Sequence, residues 1–431
     1  MSHSSSPQPH QPVSHYEATA HRDATYSPLE GHHTCDVCVI GGGIAGSSAA
    51  LHLAERGYRV MLVEAAQIGW GASGRSGGQI IPGYSCEQST LDALVGRAEA
   101  DRLWALSVDA VQLTRALIER HRIDCDWRPG HLQAAIKPRH RAALIAWRDQ
   151  LLQRYRYSNV RLLERAEMRD ALATERYCAG LLDADAGHLH PLNYTLGLAA
   201  AAAQAGAQIF EQSAALEIAT RRPATIRTPQ GQITAEHVVL CGNAYLGGLV
   251  PNLRTRIMPV ATYIVATQTL GEERARALIP GDQAVADCNF ILDYFRRSAD
   301  HRLLFGGRVS YSGHDAFSVA SATRARIIKV FPQLADVKID SAWSGLLDIT
   351  MNRAPDFGRI ADHIYYLQGF SGHGLALAGM AGKLAAEAIA GQAERFDAFG
   401  RIKHHRFPGG PLLRMPILVA AMLWRRLLDV L

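Results

Sequence analysis

Val37-Cys-Val-Ile-Gly-Gly-Gly-Ile-Ala-Gly46 is the stretch on which the fold turns. Val37 to Ile40 is a short apolar run of strand type, and glycines at 41, 43 and 46 follow it at once. Ser47 to Arg56 predicts a helix with Ala50, Leu51 and Ala54 on one face and Gly57 as its stop. Tyr58 to Val63 predicts a second strand, which ends in Glu64. Each piece has a mechanical use. Gly41 permits the tight turn, Gly43 lets the backbone approach a pyrophosphate, and Gly46 lets helix and strand pack closely. The helix N-terminus offers unbonded N–H groups and a positive dipole end to phosphate. Glu64 can accept hydrogen bonds from ribose hydroxyls, and its charge would repel a 2′-phosphate, which argues against NADP. The pattern predicts a dinucleotide site and does not by itself choose between NAD and FAD.

The flanking segments favour a flavin. Gly69-Trp-Gly-Ala-Ser-Gly-Arg-Ser-Gly-Gly-Gln79 holds five glycines in eleven residues, so its backbone can fold closely over a bound group. Far along the chain, Ile364 to Gln368 predicts a strand running into Gly369-Phe-Ser-Gly-His-Gly374. A long Ala/Leu helix follows from Leu375 to Ala390, stopped by Gly391. A helix N-terminus aimed at the ring would stabilise negative charge at the N1/C2=O end of a reduced flavin. Val238-Val-Leu-Cys-Gly-Asn243 predicts another strand with a glycine turn at Gly242.

The rest of the composition narrows the class. With 431 residues, 48% apolar and 20% charged, the chain has an ordinary globular make-up with room for two or three domains. The net charge of +5 is too mild to imply nucleic acid, and residues 401–431 carry the whole excess. Seven scattered cysteines form no disulfide framework, which predicts a reducing cytoplasm. Cys35 and Cys38 have CxxC spacing, but on a regular strand residues three apart face opposite ways, so two separately buried thiols are expected. The first 33 residues, rich in His, Ser and Pro, are expected to form a flexible arm.

Three motifs together carry a resemblance: Gly41-x-Gly43-x-x-Gly46 with Glu64, Gly71 to Gln79, and Gly369 to Gly374. The chain resembles the D-amino-acid oxidase/glycine oxidase class of FAD enzymes. Within that class it is most similar to the bacterial gamma-glutamylputrescine oxidases, through His190-Pro-Leu-Asn-Tyr194, Met258-Pro-Val-Ala-Thr-Tyr263, Leu304-Phe-Gly-Gly-Arg308, Asn352-Arg-Ala-Pro355 and further short stretches.

The resemblance implies an α/β plus α+β protein, in which a discontinuous Rossmann-like FAD-binding domain is covered by an antiparallel-sheet substrate domain. The expected division is 1–33 for the arm, 34–86, 156–250 and 346–410 for the FAD domain, 87–155 and 251–345 for the substrate domain, and 411–431 for an apolar, basic C-terminal helix. It implies FAD contacts from Gly41, Gly43, Ile44, Ala45, Gly46, Glu64 and Ala65. Further contacts are expected from Gly71, Ala72, Ser73, Arg75, Ser76, Gly77, Gly78 and Gln79, from Gly242, and from Gly369, Gly372, His373, Gly374 and Leu375. No cysteine follows Cys288, so a non-covalent flavin is expected.

The chemistry implied is oxidation of an amine to an imine, which water converts to an aldehyde and ammonia, with dioxygen or another acceptor such as a quinone taking the electrons. The amine must react as the free base, so the site must desolvate it or pass its proton on. His373 is a candidate for that contact. Tyr294 and Arg296 fall on one face of a presumed substrate-domain strand, where Arg296 could bind a carboxylate. Trp343 and, more weakly, Tyr263 could wall the pocket. A small amino acid such as glycine, sarcosine or a D-amino acid is the alternative substrate, and a tRNA-modifying flavoprotein fits poorly because residues 1–400 are charge-neutral. The tail from Pro411 to Leu431 predicts a helix packed on the fold or a peripheral contact with anionic lipid. Oligomeric state is left open.

Overall fold

A computed structural model describes residues 13–289, 292–310 and 316–408. The tail 411–431, with its expected helix or lipid contact, lies outside the described residues. Among the described residues no helix is long and apolar enough to cross a membrane.

The strand Gly31–Ile40 is central, paired in parallel with Gly231–Leu240 on one side and Val60–Val63 on the other. A parallel sheet covered on both faces needs apolar residues on both, which is why Val37 to Ile40 reads as an unbroken run. Gln208–Phe210 extends the sheet at one edge, and Ile364–Gln368 with Asp356–Ala361 at the other. Helices Ile44–Ala54, Arg97–His121, Pro191–Gln204 and Gly374–Ile389 bury a shared apolar core against one face.

Cys35 and Cys38 correct the expectation of opposite faces. Both belong to the same buried cluster, with Ile233, Ala235, Val238 and Leu240 of the neighbouring strand. The backbone is irregular between them, since the N–H groups of Asp36 and Val37 both donate to the Arg59 carbonyl, at 3.0 and 3.2 Å. Burial raises both thiols, Cys35 to about 12, so they stay protonated apolar side chains.

The second sheet runs Ile339–Thr350, Ile257–Thr267, Leu303–Ser310, Tyr294–Arg297, Ala284–Asp287, Arg128–Ala135, Ala179–His188 and Gln79–Ile80. Only Ala284–Asp287 against Arg128–Ala135 is parallel among these pairs. Phe295 and Phe305 are register partners with rings stacked at 5.5 Å, a cross-strand pair worth about 1 kcal/mol beyond its area burial.

Several expected boundaries move. Helices Gln88–Val95 and Arg97–His121 contribute Leu91, Leu103, Leu106 and Leu117 to the nucleotide-side core, so 87–121 does not belong with the second sheet. Conversely, Val160–Glu164 and Ala179–His188 pair within the second sheet, so the segment up to His188 leaves the FAD part. The strand Ile339–Thr350 likewise runs past 345. Periodicity shows that a face is covered, but not by which sheet.

The arm is not loose from Ser14 onward. Ser14 Oγ accepts from Glu17 N–H at 3.1 Å and caps the short helix His15–Ala18. Tyr16 is fully buried, edge-on to His190 at 5.0 Å and to Trp343 at 5.3 Å.

Candidate active site

The site begins at the first glycine turn. Gly41 has φ +109°, and a Cβ there would sit 2.7 Å from the Cys241 carbonyl oxygen. A Cβ on Gly46 would lie 1.9 Å from the Gly41 carbonyl oxygen, so only hydrogen fits between helix and strand. Ser73 Oγ accepts from Ile44 N–H at 3.0 Å. Glu64 Oε2 accepts from Gly42 N–H at 2.6 Å and Oε1 from Ala66 N–H at 2.9 Å. The carboxylate, which Ala65 N–H also contacts, thus holds the turn, and it would share its oxygens with ribose hydroxyls.

The second glycine turn is held by an acid that none of the glycine motifs contains. Asp348 accepts from Gly369 N–H, and from Phe370 N–H at 3.2 Å. Burial pushes its carboxyl up to about 7. A carboxylate inside the apolar run Leu346-Leu-Asp-Ile349 was the available signal, because a buried charge needs partners. The helix Gly374–Ile389 then starts at His373 with no side-chain cap, as Ile44–Ala54 starts at Gly43 with none. These two helices touch: Ser48 Oγ donates to the Gly379 carbonyl at 2.7 Å, and a Cβ on Gly382 would lie 2.4 Å from the Ala45 carbonyl oxygen.

Both helix N-termini open on one cavity of about 660 Å³. Gly43, Ile44 and Ala45 line it from the first turn, Phe370 to Ala376 from the second, and Ala72, Ser73 and Ser76 to Gln79 from the glycine loop. The substrate side contributes Val260, Thr262, Tyr294, Leu347, Ile349 and Arg353. Three glycine-dense corners distant in sequence therefore meet.

Other expected residues stand back from the cavity wall. Gly41, Gly46, Glu64 and Ala65 shape the turn from behind. Gly71 packs on Tyr245, and Gly369 and Gly242 yield the wall to Phe370 and to Cys241 and Asn243. Arg75 is turned away. Its Nε donates to the Trp70 carbonyl at 3.0 Å and its Nη1 to that of Ser344 at 3.4 Å. Trp343 is buried, with Nε1 donating to the Arg75 carbonyl at 3.1 Å, so it braces the loop and is not on the wall of this cavity. Tyr263 is also off the wall.

Arg296 is the sharpest correction. It shares a face with Tyr294 as alternation predicts, but its guanidinium is spent on the Gly77 and Leu189 carbonyls, both at 2.9 Å, the Arg297 carbonyl at 3.0 Å and the Tyr16 hydroxyl at 3.1 Å. It anchors the glycine loop and is not placed to clamp a substrate carboxylate. Tyr294, by contrast, does line the cavity and lies against Gly77.

His373 also lines the cavity, bonded to the Pro82 backbone, and burial lowers it to about 4, so its ring is neutral at ordinary pH. A dinucleotide flavin fits this surface. Two uncapped helix N-termini suit a pyrophosphate and the electron-rich edge of a ring, and the buried Ser76 Oγ has no partner within the protein. Gly43, Ile44, Ser73 and Ser76 would hold the phosphate and ribityl side, and Gly77 to Gln79 with Gly372 to Leu375 the ring.

The comparisons agree with that geometry. A family model described as DAO, FAD dependent oxidoreductase, matches residues 36–388. The gamma-glutamylputrescine oxidoreductase of Escherichia coli is 44% identical over 404 residues, covering 94% of this chain and 95% of that one. A probable oxidoreductase OrdL of Haemophilus influenzae is 39% identical over 406 residues, 93% of each chain. Among solved structures, glycine oxidase from Geobacillus kaustophilus superposes with a TM-score of 0.72 at 22% identity, over 86% of this chain and 99% of that one.

Proposed function

The chain belongs to the DAO family of FAD-dependent oxidoreductases, and from that premise we propose that it oxidises gamma-glutamylputrescine, or a closely related acylated polyamine, at the carbon bearing the terminal primary amine. The imine formed there takes up water and releases an aldehyde and ammonia. FAD, when bound, supplies the two-electron acceptor for the carbon–hydrogen bond beside nitrogen and passes the electrons to dioxygen, giving hydrogen peroxide.

The observation that carries this reading is the character of the cavity wall that His373 shares. Leu347, Val260 and Ile349 are apolar, Tyr294 is held neutral by burial, and His373 is neutral as well. A primary amine entering such a chamber leaves water, and desolvation disfavours its ammonium form. That delivers the free base, whose lone pair the reaction needs. The neutral His373 ring can accept a hydrogen bond from the amine, fixing the nitrogen over the turn Gly372–Gly374. The 44% identity to a gamma-glutamylputrescine oxidoreductase supports the substrate class.

Purified protein incubated in air with gamma-glutamylputrescine should release aldehyde, ammonia and hydrogen peroxide in equal amounts. Turnover of glycine or sarcosine with none of the glutamyl amine would refute the reading.

A further inference from the structure

Arg353 is a cavity-lining cation that the reaction chemistry above leaves unused. Among the described residues it is the one arginine or lysine on that wall. It sits in the turn after strand Ile339–Thr350, in the left-handed region at φ +59°, where a branched-out side chain is uncommon. The turn is pinned on both sides: Arg353 N–H donates to the Thr350 carbonyl at 3.1 Å, Thr350 Oγ1 to the Ala354 carbonyl at 2.8 Å, and Ala354 N–H to Asn352 Oδ1 at 3.1 Å. Strain of this kind persists where the surroundings enforce it, and often at ligand contacts.

The position of the charge is as informative as its presence. The Arg353 guanidinium acts on the Cys86 thiol, beside Ser85 on the cavity wall, whereas His373 is bonded to Pro82. Pro82 and Cys86 are four steps apart in the chain, so these two contacts lie within about 14 Å of extended chain of one another. In gamma-glutamylputrescine the reacting carbon and the glutamyl carboxylate carbon are nine bonds apart, about 11 Å when extended. A small amino acid holds its carboxylate on the reacting carbon itself.

We propose that Arg353 binds the distal carboxylate of the substrate's glutamyl group and so makes the enzyme select a glutamylated polyamine over an uncharged acyl analogue. This rests on the functional reading above. A guanidinium can present paired N–H donors to the two oxygens of a carboxylate, and Arg353 lines the same cavity as His373.

The test compares gamma-glutamylputrescine with N-acetylputrescine, which keeps the amide and the terminal amine but lacks the carboxylate and the α-ammonium beside it, so the change in preference on substituting Arg353 is the readout. Arg353→Asn, chosen because Asn tolerates a positive φ, and Arg353→Lys are assayed as FAD-loaded proteins. The wild-type preference in kcat/KM for the glutamyl substrate should fall roughly 10- to 100-fold in Arg353→Asn, mainly through KM. Arg353→Lys should recover part of it. A preference unchanged in both variants overturns the inference while leaving the functional reading intact. Wild-type enzyme that never oxidises the glutamyl amine defeats the reading itself, and the inference with it.

Discussion

The carboxylate of Asp348 accepts hydrogen bonds from two successive backbone N–H groups, those of Gly369 and Phe370, and thereby holds the turn that leads into His373. Burial raises this carboxyl to about 7, above its unfolded value near 4. The folded state therefore binds the extra proton between those values. Its contribution to stability is greatest below about pH 4, and declines by up to about 1.4 kcal/mol per unit as pH rises towards 7. Asp348→Asn should abolish that decline and also weaken FAD binding, because an amide oxygen cannot serve both N–H groups as a carboxylate does. Urea unfolding from pH 4.5 to 8, wild type against variant, checks it; parallel curves would show that Asp348 does not titrate in this window.

Histidines act in the opposite sense. Burial lowers His52 and His373 to about 4, and His131 and His190 to about 3. Each takes up a proton on unfolding below pH 6.5, so the stability present above that value is lost as pH falls. By pH 5.5 each contributes about 1.4 kcal/mol of loss, about 5.6 kcal/mol for the four. Asp348 and Asp287, both raised to about 7, gain stability over the same range. The test is therefore the difference in Tm between wild type and His131→Gln or His190→Gln across pH 7.5 to 5; a difference that does not change with pH would mean these rings reach solvent.

Because His373 is already neutral, kcat/KM should not break near pH 6 to 7. It should instead climb about tenfold per unit towards the substrate's own pKa, near 10. His373→Asn should lower kcat by about 100-fold and leave that slope in place. A wild-type limb near pH 6.5 that vanishes in the variant would reassign His373 as an ionising group.

The two glycines of the first turn should differ. Gly46→Ala brings a Cβ to 1.9 Å from a fixed carbonyl and should cost about 3 kcal/mol or more with loss of bound FAD. Gly43→Ala meets the rotatable Ser73 hydroxyl at 2.8 Å, so the protein should fold and bind FAD more weakly. Equal behaviour of the two, by flavin absorbance and Tm, would remove the distinction between packing and cofactor approach.

Arg296→Ala should behave as a structural lesion. It strands the Gly77, Leu189 and Arg297 carbonyls, and should lower stability by about 3 kcal/mol with loss of FAD. A stable, yellow variant whose only fault is a raised substrate KM would restore the carboxylate clamp read from the strand pattern.

The nucleotide turn was legible because most of its contacts join near neighbours in sequence: Gly46 packs on Gly41 and Glu64 holds Gly42 within one strand–helix–strand unit, while only Gly41 also faces the distant Cys241. Arg296 was misread because alternation gives a face without saying that carbonyls from Gly77 and Leu189 wait on it. Tyr16 looked like part of a loose arm, since its partners His190, Arg296 and Trp343 are far away in sequence. Cys35 and Cys38 defeated the period-two rule where Asp36 and Val37 share one acceptor. Arg353 gave no periodic signal at all, because a turn residue is recognised by the cavity it meets.

The decisive measurement is anaerobic flavin absorbance of the purified protein during titration with gamma-glutamylputrescine, glycine and sarcosine in turn. A yellow protein bleached by the glutamyl amine and not by the two amino acids is expected. A folded protein that takes up no FAD, or one bleached only by the amino acids, would contradict the assignment of this cavity.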